Sequence, residues 1–275
     1  MRSSWLLASV CLISASFTDL LFAAACDLPA HETATVASVQ DGETLKLTDG
    51  RVVRLIGTKA PAPPLGWRGD DPWPLVADAR AALSRLASGA EIELRFGGRR
   101  TDRHGQLLAQ VFVIRGGARL WLQEELVAKG LARVYSLADN TACVHELLAS
   151  EAEARERRLG VWGSWAYRIQ SADDLKRLDR LIHTYQLVEG KVVAVGQGAG
   201  RIYLNFAKDW RRDFTVSVAR KDVGSFAAAG IDLKGLAGKT IRARGWLQWR
   251  NGPMIEATHP EQIELLPDTS GKAAL

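Results

Sequence analysis

Between residues 33 and 56 apolar and polar positions alternate with a period of two. Thr35-Val36-Ala37-Ser38-Val39, Thr44-Leu45-Lys46-Leu47 and Val52-Val53-Arg54-Leu55-Ile56 each read as a strand with one face buried. Asp41-Gly42 and Asp49-Gly50 separate them, and Asp-Gly between alternating runs is a strong hairpin signal. The alternation then stops: residues 60 to 74 hold five prolines and two tryptophans and predict a loop. From Leu75 the period becomes helical, with Leu75, Ala79, Ala82, Leu83 and Leu86 on one stripe and Gly89 as the stop. Ile92 to Phe96 and Ala109 to Val113 give a fourth and fifth strand. Leu120 to Lys129 and Ala142 to Arg158 predict two more helices, ended by Gly130 and Gly160; Glu and Arg pairs mark the solvated face of the last. Five strands with a helix before the fourth are what a small Greek-key barrel needs.

A second strand-rich region follows. Asp173 to Ile182 predicts a connecting helix, and Leu187 to Val195 opens a new set of strands. Gly196-Gln197-Gly198-Ala199-Gly200 reads as a hairpin turn, since it lacks the Lys-Ser/Thr and the helix of a phosphate-cradling loop. Arg201 to Phe206, Phe214 to Val218, Thr240 to Leu247 and Pro253 to Ala257 complete about five strands, with a short helix over Lys221 to Ala228. The expected class is α+β and dominated by β-barrels, with units at residues 33–163 and 187–267, a helical linker at 164–186 and a disordered tail at 268–275.

Composition changes this picture little. Of 275 residues 47% are hydrophobic and 24% charged, which is ordinary for a globular protein. The net charge of +5 permits a polyanionic partner without requiring one. The N-terminus says more. Arg2 precedes an apolar stretch from Trp5 to Phe17, Asp19 interrupts it, and Ala23-Ala24-Ala25 offers a cleavage site. This is the pattern of a signal peptide over residues 1–25, too short to span a membrane as a helix. Export to a periplasm or medium is expected. A lipoprotein anchored at Cys26 is the alternative, disfavoured because Ala23 stands where a lipoprotein signal usually has a branched residue. With Cys11 removed, Cys26 and Cys143 remain; they could form a disulfide or stay unpaired. Cys and His spacings give no zinc pattern.

Three runs carry candidate chemistry: Asp41-Gly42-Glu43-Thr44, Arg54 to Ala62, and Arg100-Thr101-Asp102-Arg103-His104-Gly105-Gln106. In order and spacing they resemble the staphylococcal-nuclease-like (thermonuclease) family. Gly130 to Val134, Glu151 to Arg155 and Gly160-Val161-Trp162 extend the resemblance over about residues 33–163. It implies an OB-type barrel and phosphodiester cleavage with calcium, carboxylates and two arginines. The replacements are what distinguish this chain. Glu43 stands for a calcium-ligating Asp, one methylene longer, and Arg54 matches the phosphate-clamping arginine. Lys59 takes the place of the second ligand, Ala62 that of the water-activating Glu, His104 that of a Tyr and Gln106 that of the second arginine. A Glu43–Lys59 ion pair in place of calcium is expected. Arg54 could also be a structural ion-pair partner, and His104 a solvated turn residue or a replacement base.

The expected function is an exported, catalytically degenerate nuclease-like module that binds nucleic acid, protein or another envelope macromolecule, with no cofactor. Tyr203, Trp210, Arg211, Arg212, Trp246, Trp249 and Arg250 of the second unit are the aromatic and basic candidates for that. One alternative is an active nuclease using Glu43, Arg54 and His104, which would need calcium. The other is a structural protein without ligand, whose barrels hold each other.

Overall fold

The computed structural model describes residues 26–267; the expected signal peptide and the tail from 268 lie outside the described residues. The first unit runs β1 (Glu32–Val39), β2 (Thr44–Leu47), β3 (Val52–Leu55), β4 (Gly57–Lys59), α1 (Val76–Ala87), β5 (Glu91–Arg95), β6 (Leu107–Arg115), β7 (Ala118–Trp121), α2 (Leu122–Ala128), β8 (Arg133–Tyr135) and α3 (Val144–Glu156). β1 pairs with β2 and β5, β2 with β3, and β5 with β6, all antiparallel. A parallel pairing of β3 with β6 closes the ring of five strands. The period-two pattern explains the interior: Leu45, Val53, Leu55, Ile92, Leu94 and Val111 are fully buried there, and α1 covers the barrel with Ala82, Leu83 and Ala87.

The alternation did not disclose β4. Only three residues long, it leaves the barrel and pairs with β8 in the register Gly57↔Tyr135, Lys59↔Arg133. Gly57 makes that exit possible: its φ is 92°, and a Cβ there would stand 2.8 Å from Leu147 Cδ1. Strand β7 was likewise hidden, because its leucine extends the helical stripe of α2. The Gly116-Gly117 turn, at positive φ, folds it back on β6, and the helix starts at Leu122 rather than Leu120. Cys26 and Cys143 are joined as a disulfide, which ties the start of the described chain to the head of α3.

The second unit runs β9 (Gln170–Ser171), α4 (Leu175–Asp179), β10 (Tyr185–Lys191), β11 (Ala194–Gly198), β12 (Arg201–Asn205), β13 (Thr215–Ala219), α5 (Val223–Ala228), β14 (Thr240–Trp249), β15 (Pro253–Ala257) and β16 (Ile263–Leu265). Its sheet curls into a half-barrel in the order β11-β12-β13-β15-β14-β10. The single strand expected from Leu187 to Val195 is broken at Val192-Val193. Val192 N–H donates to Lys239 O and Val193 N–H to Asn205 O, so the chain bends from one neighbour to the other there. Taking β10 and β11 as halves of one strand, the order and the parallel β13–β15 pair repeat those of the first barrel. Gly196 to Gly198 belong to β11, and only Ala199-Gly200 form the turn. The expected connecting helix shrinks to the five residues of α4, where the Asp174 side chain accepts from Arg177 N–H.

The segment between the units is no free tether. β9 joins the second sheet alongside β10, and Tyr167 Oη donates to Pro74 O of the first unit. Arg244 of β14 is buried against Glu151 of α3 at 2.7 Å, and Arg155 of α3 reaches Glu264 of β16 at 3.0 Å. Burial works against the Arg244 charge, but the adjacent Glu151 carboxylate more than offsets it and its pKa is raised.

Candidate functional site

Asp41 sets the start of the site. Its Oδ1 accepts from Glu43 N–H at 2.8 Å, a local turn that ends where β2 begins. Glu43 is buried and faces the neighbouring strands. Lys59, at the end of β4, places Nζ 2.9 Å from Glu43 Oε1, and Arg54 of β3 places Nη2 3.0 Å from the same oxygen. Oε2 accepts from Ala60 N–H at 2.5 Å. Three donors, one from β3 and two from the adjacent residues Lys59 and Ala60, thus engage one carboxylate, and the cluster carries one excess positive charge.

A calcium ion takes six to eight oxygen ligands. Here the one carboxylate of the cluster has both oxygens occupied by donors, and an ammonium stands where a second ligand would be. The donor set does not fit calcium unless Lys59 moves away. Ala62, where the resemblance places a base, offers only a methyl group and lines the space between the barrels. His104 and Gln106 lie in a turn between Thr101 and Leu107. The backbone N–H groups of both donate to Asp102 Oδ1, at 2.7 and 3.0 Å. The exposed His104 ring accepts from Arg103 Nε at 3.0 Å through its Nε2. Among the described residues no hydrogen bond or ion pair joins His104 or the Gln106 side chain to Glu43 or Arg54.

On the second unit the structure brings together part of the expected set. Tyr203 of β12, Trp210 and Arg250 line a groove of about 380 Å³, with Asn205, Thr215 and Met254. Trp210 is half exposed, and the Arg211 guanidinium lies 4.6 Å from its ring centroid. The exposed Arg212 and Trp249 are not among the residues lining that groove. Trp246 points elsewhere: its ring meets Tyr185 and Tyr135 edge-on, at 6.2 and 6.5 Å between centroids, at the junction of the units.

Sequence reasoning missed that junction. Ser136 Oγ lies 2.6 Å from His259 Nε2, and His259 Nδ1 lies 2.9 Å from Thr258 Oγ1. Thr258 donates onward to Gln262 Oε1, so Nδ1 carries the proton and Nε2 accepts from Ser136. A serine donating to an imidazole has the outline of a nucleophile and base. Here burial pushes the imidazole down to about 4, a hydroxyl rather than a carboxylate orients it, and both side chains are buried. The pair is a neutral clamp between the units. The two partners are 123 positions apart, and no local pattern announces them.

Residues 53–164 match the family model described as "Staphylococcal nuclease homologue". The matched segment holds Arg54, Lys59, Ala62, His104 and Gln106, starts after Glu43, and ends before the second unit. No curated protein shows significant similarity to the chain. The chain therefore carries a staphylococcal-nuclease-like domain on an OB-like barrel.

Proposed function

We propose that this is an exported protein whose first barrel keeps the nuclease shape without calcium-dependent cleavage. The whole then acts as a single-stranded nucleic-acid binding module. The observation that carries this is the Lys59 ammonium on Glu43 Oε1 at 2.9 Å: the charge that a metal would supply is supplied from within the chain. With the second ligand, the base and one arginine replaced, the electrostatic stabilisation of a phosphorane-like transition state is largely absent. The groove of Tyr203, Trp210 and Arg250 offers rings for bases and a cation for the backbone, as such modules do. The Cys26–Cys143 disulfide supports an oxidising compartment and leaves no Cys26 thiol for a lipid.

The test uses the mature, disulfide-bonded protein with single-stranded DNA. Wild type should show no calcium-dependent cutting, and binding should weaken steeply with added salt. The triple variant Lys59→Asp/Ala62→Glu/Gln106→Arg should gain cutting. Calcium-dependent cutting by wild type would falsify the loss of catalysis. Salt-insensitive or absent binding would remove the nucleic-acid role and favour the structural alternative, which the Glu151–Arg244 contact between the units also suits.

A further inference from the structure

A cavity of about 510 Å³ has walls from both units. Trp73 and Trp165 from the first unit and the connecting segment face Tyr185 and Trp246 from the second. Lys59 and Ala62 also line it, so it adjoins the Glu43 pocket without being part of it. Besides the unpartnered Trp73 Nε1, two of its polar groups are incompletely satisfied.

The first is Arg133. Lys59 and Arg133 are direct partners across β4 and β8, which sets two cations side by side. Lys59 has Glu43. Arg133, only 7% exposed, has no carboxylate partner among the described residues. Its Nη2 donates to Tyr185 O at 3.1 Å, and its guanidinium lies 5.3 and 5.1 Å from the ring centroids of Tyr167 and Tyr185. Those rings hold the cation in place but bring no negative charge. Glu151, whose field reaches it, is already held by Arg244 at 2.7 Å and Arg155 at 3.5 Å. A buried guanidinium without an anion is costly unless something supplies one.

The second is Gln186, also buried. Its Nε2 donates to Thr184 Oγ1 at 2.9 Å, and the Thr184 hydroxyl donates to Leu181 O at 2.5 Å. The amide therefore cannot be turned over without losing its bond. Its Oε1 is left as a buried acceptor with no donor.

We propose that this cleft binds a small ligand made of a flat ring, one anionic group and an N–H or O–H donor. The anion sits on Arg133, the ring against the aromatic walls, and the donor on Gln186 Oε1. Two sources carry that chemistry, a nucleoside monophosphate and an aromatic hydroxycarboxylate. The site is separate from the groove of the second unit and does not depend on it.

The probes are uridine monophosphate and 4-hydroxybenzoate, followed by tryptophan fluorescence and calorimetry on the disulfide-bonded protein. Uridine, phenol and inorganic phosphate are the controls. At least one charged ring should bind, with the controls at least tenfold weaker, and whichever probe binds identifies the source. No binding by either probe, or equal binding by a control, overturns the proposal. Arg133→Met should abolish binding. Because Arg133 is buried and its loss could unfold the chain, Trp165→Ala is the second variant; that ring is 59% exposed. It should fold normally and lose about tenfold in affinity, and an unchanged affinity would also overturn the proposal. If the small probes bind in the other groove instead, Trp210→Ala weakens them and Trp165→Ala does not, which overturns the proposal without touching the nucleic-acid role.

Discussion

The two units share a strand order and differ in what they do with charge. In the first, one carboxylate is saturated from within by Lys59, Arg54 and Ala60 N–H. In the second, Tyr203, Trp210 and Arg250 line an open groove whose rings and cation face outward. One topology therefore presents either a carboxylate saturated from within or an open groove, depending on a few side chains. That is the sense in which fold does not fix function. Between them lies a third arrangement, Glu151 with Arg244 and Arg155, which resembles the Glu43 cluster in composition but encloses both Glu151 and Arg244.

The largest effect should come from that enclosed pair. Glu151 has no exposure, accepts from Val134 N–H at 2.7 Å, and faces the buried Arg244. Glu151→Ala strands a buried guanidinium and should cost about 3–5 kcal/mol in chemical denaturation. The same truncation at Glu43, whose cations reach solvent, should cost less. Equal costs would mean that the two clusters are not different in kind.

How much of this was legible beforehand follows from the range of each signal. The period-two runs and Asp-Gly turns are local, and they located the ends of the barrel strands to within three residues. The position-by-position resemblance set Lys59 opposite Glu43 because both lie inside recognisable motifs. Strand β4 was too short to show a period, and the bend at Val192-Val193 breaks a run that reads as continuous. Arg133, Gln186 and the Ser136–His259 clamp depend on how the second unit docks on the first, which no spacing in the chain encodes. Tryptophans at 67 and 73, in a loop rich in proline, were the one local hint of an aromatic cleft.

The clamp supplies the next largest effect, through pH. The buried His259 imidazole is pushed down to about 4 from an ordinary 6.5. Above pH 6.5 both folded and unfolded states hold it neutral, and its full contribution is present. As pH falls toward 4 the unfolded chain takes up the proton first, so stability drops, and the loss levels off below that. Between pH 7 and pH 5 the cost should reach about 2 kcal/mol. His259→Gln should be less stable at pH 7 but should lack this part of the pH dependence. If the variant lost as much stability as wild type between pH 7 and pH 5 in urea titrations, the junction would not be a neutral clamp.

Lys59→Asp should break the contrast between the units from the other side. It replaces the ammonium beside Glu43 with a second carboxylate and reopens the pocket to a cation. Without calcium the variant should lose about 1–3 kcal/mol, since Glu43 then faces a like charge in partial burial. Calcium should restore part of that by binding the native state alone, and the melting temperature should rise with its concentration. Wild type should show no such rise. A calcium-dependent shift in wild type would mean that Lys59 yields to the ion and that the pocket is not closed.

Trp210→Ala should have the smallest effect on the fold and a clear one on binding. The ring is 49% exposed and packs against the Arg211 guanidinium rather than into the core. Its removal should change stability by no more than about 0.5 kcal/mol. If bases stack on it, affinity for single-stranded DNA should fall by about 1–3 kcal/mol, with the salt dependence of binding unchanged because no charge is lost. Arg250→Ala should do the reverse, lowering the salt slope with a smaller dependence on base identity. The two substitutions thereby separate stacking from charge within one groove. If both left affinity unchanged in proteins that still bind DNA, the second unit would not be the open member of the pair, and the excess cation beside Glu43 would become the next surface to test.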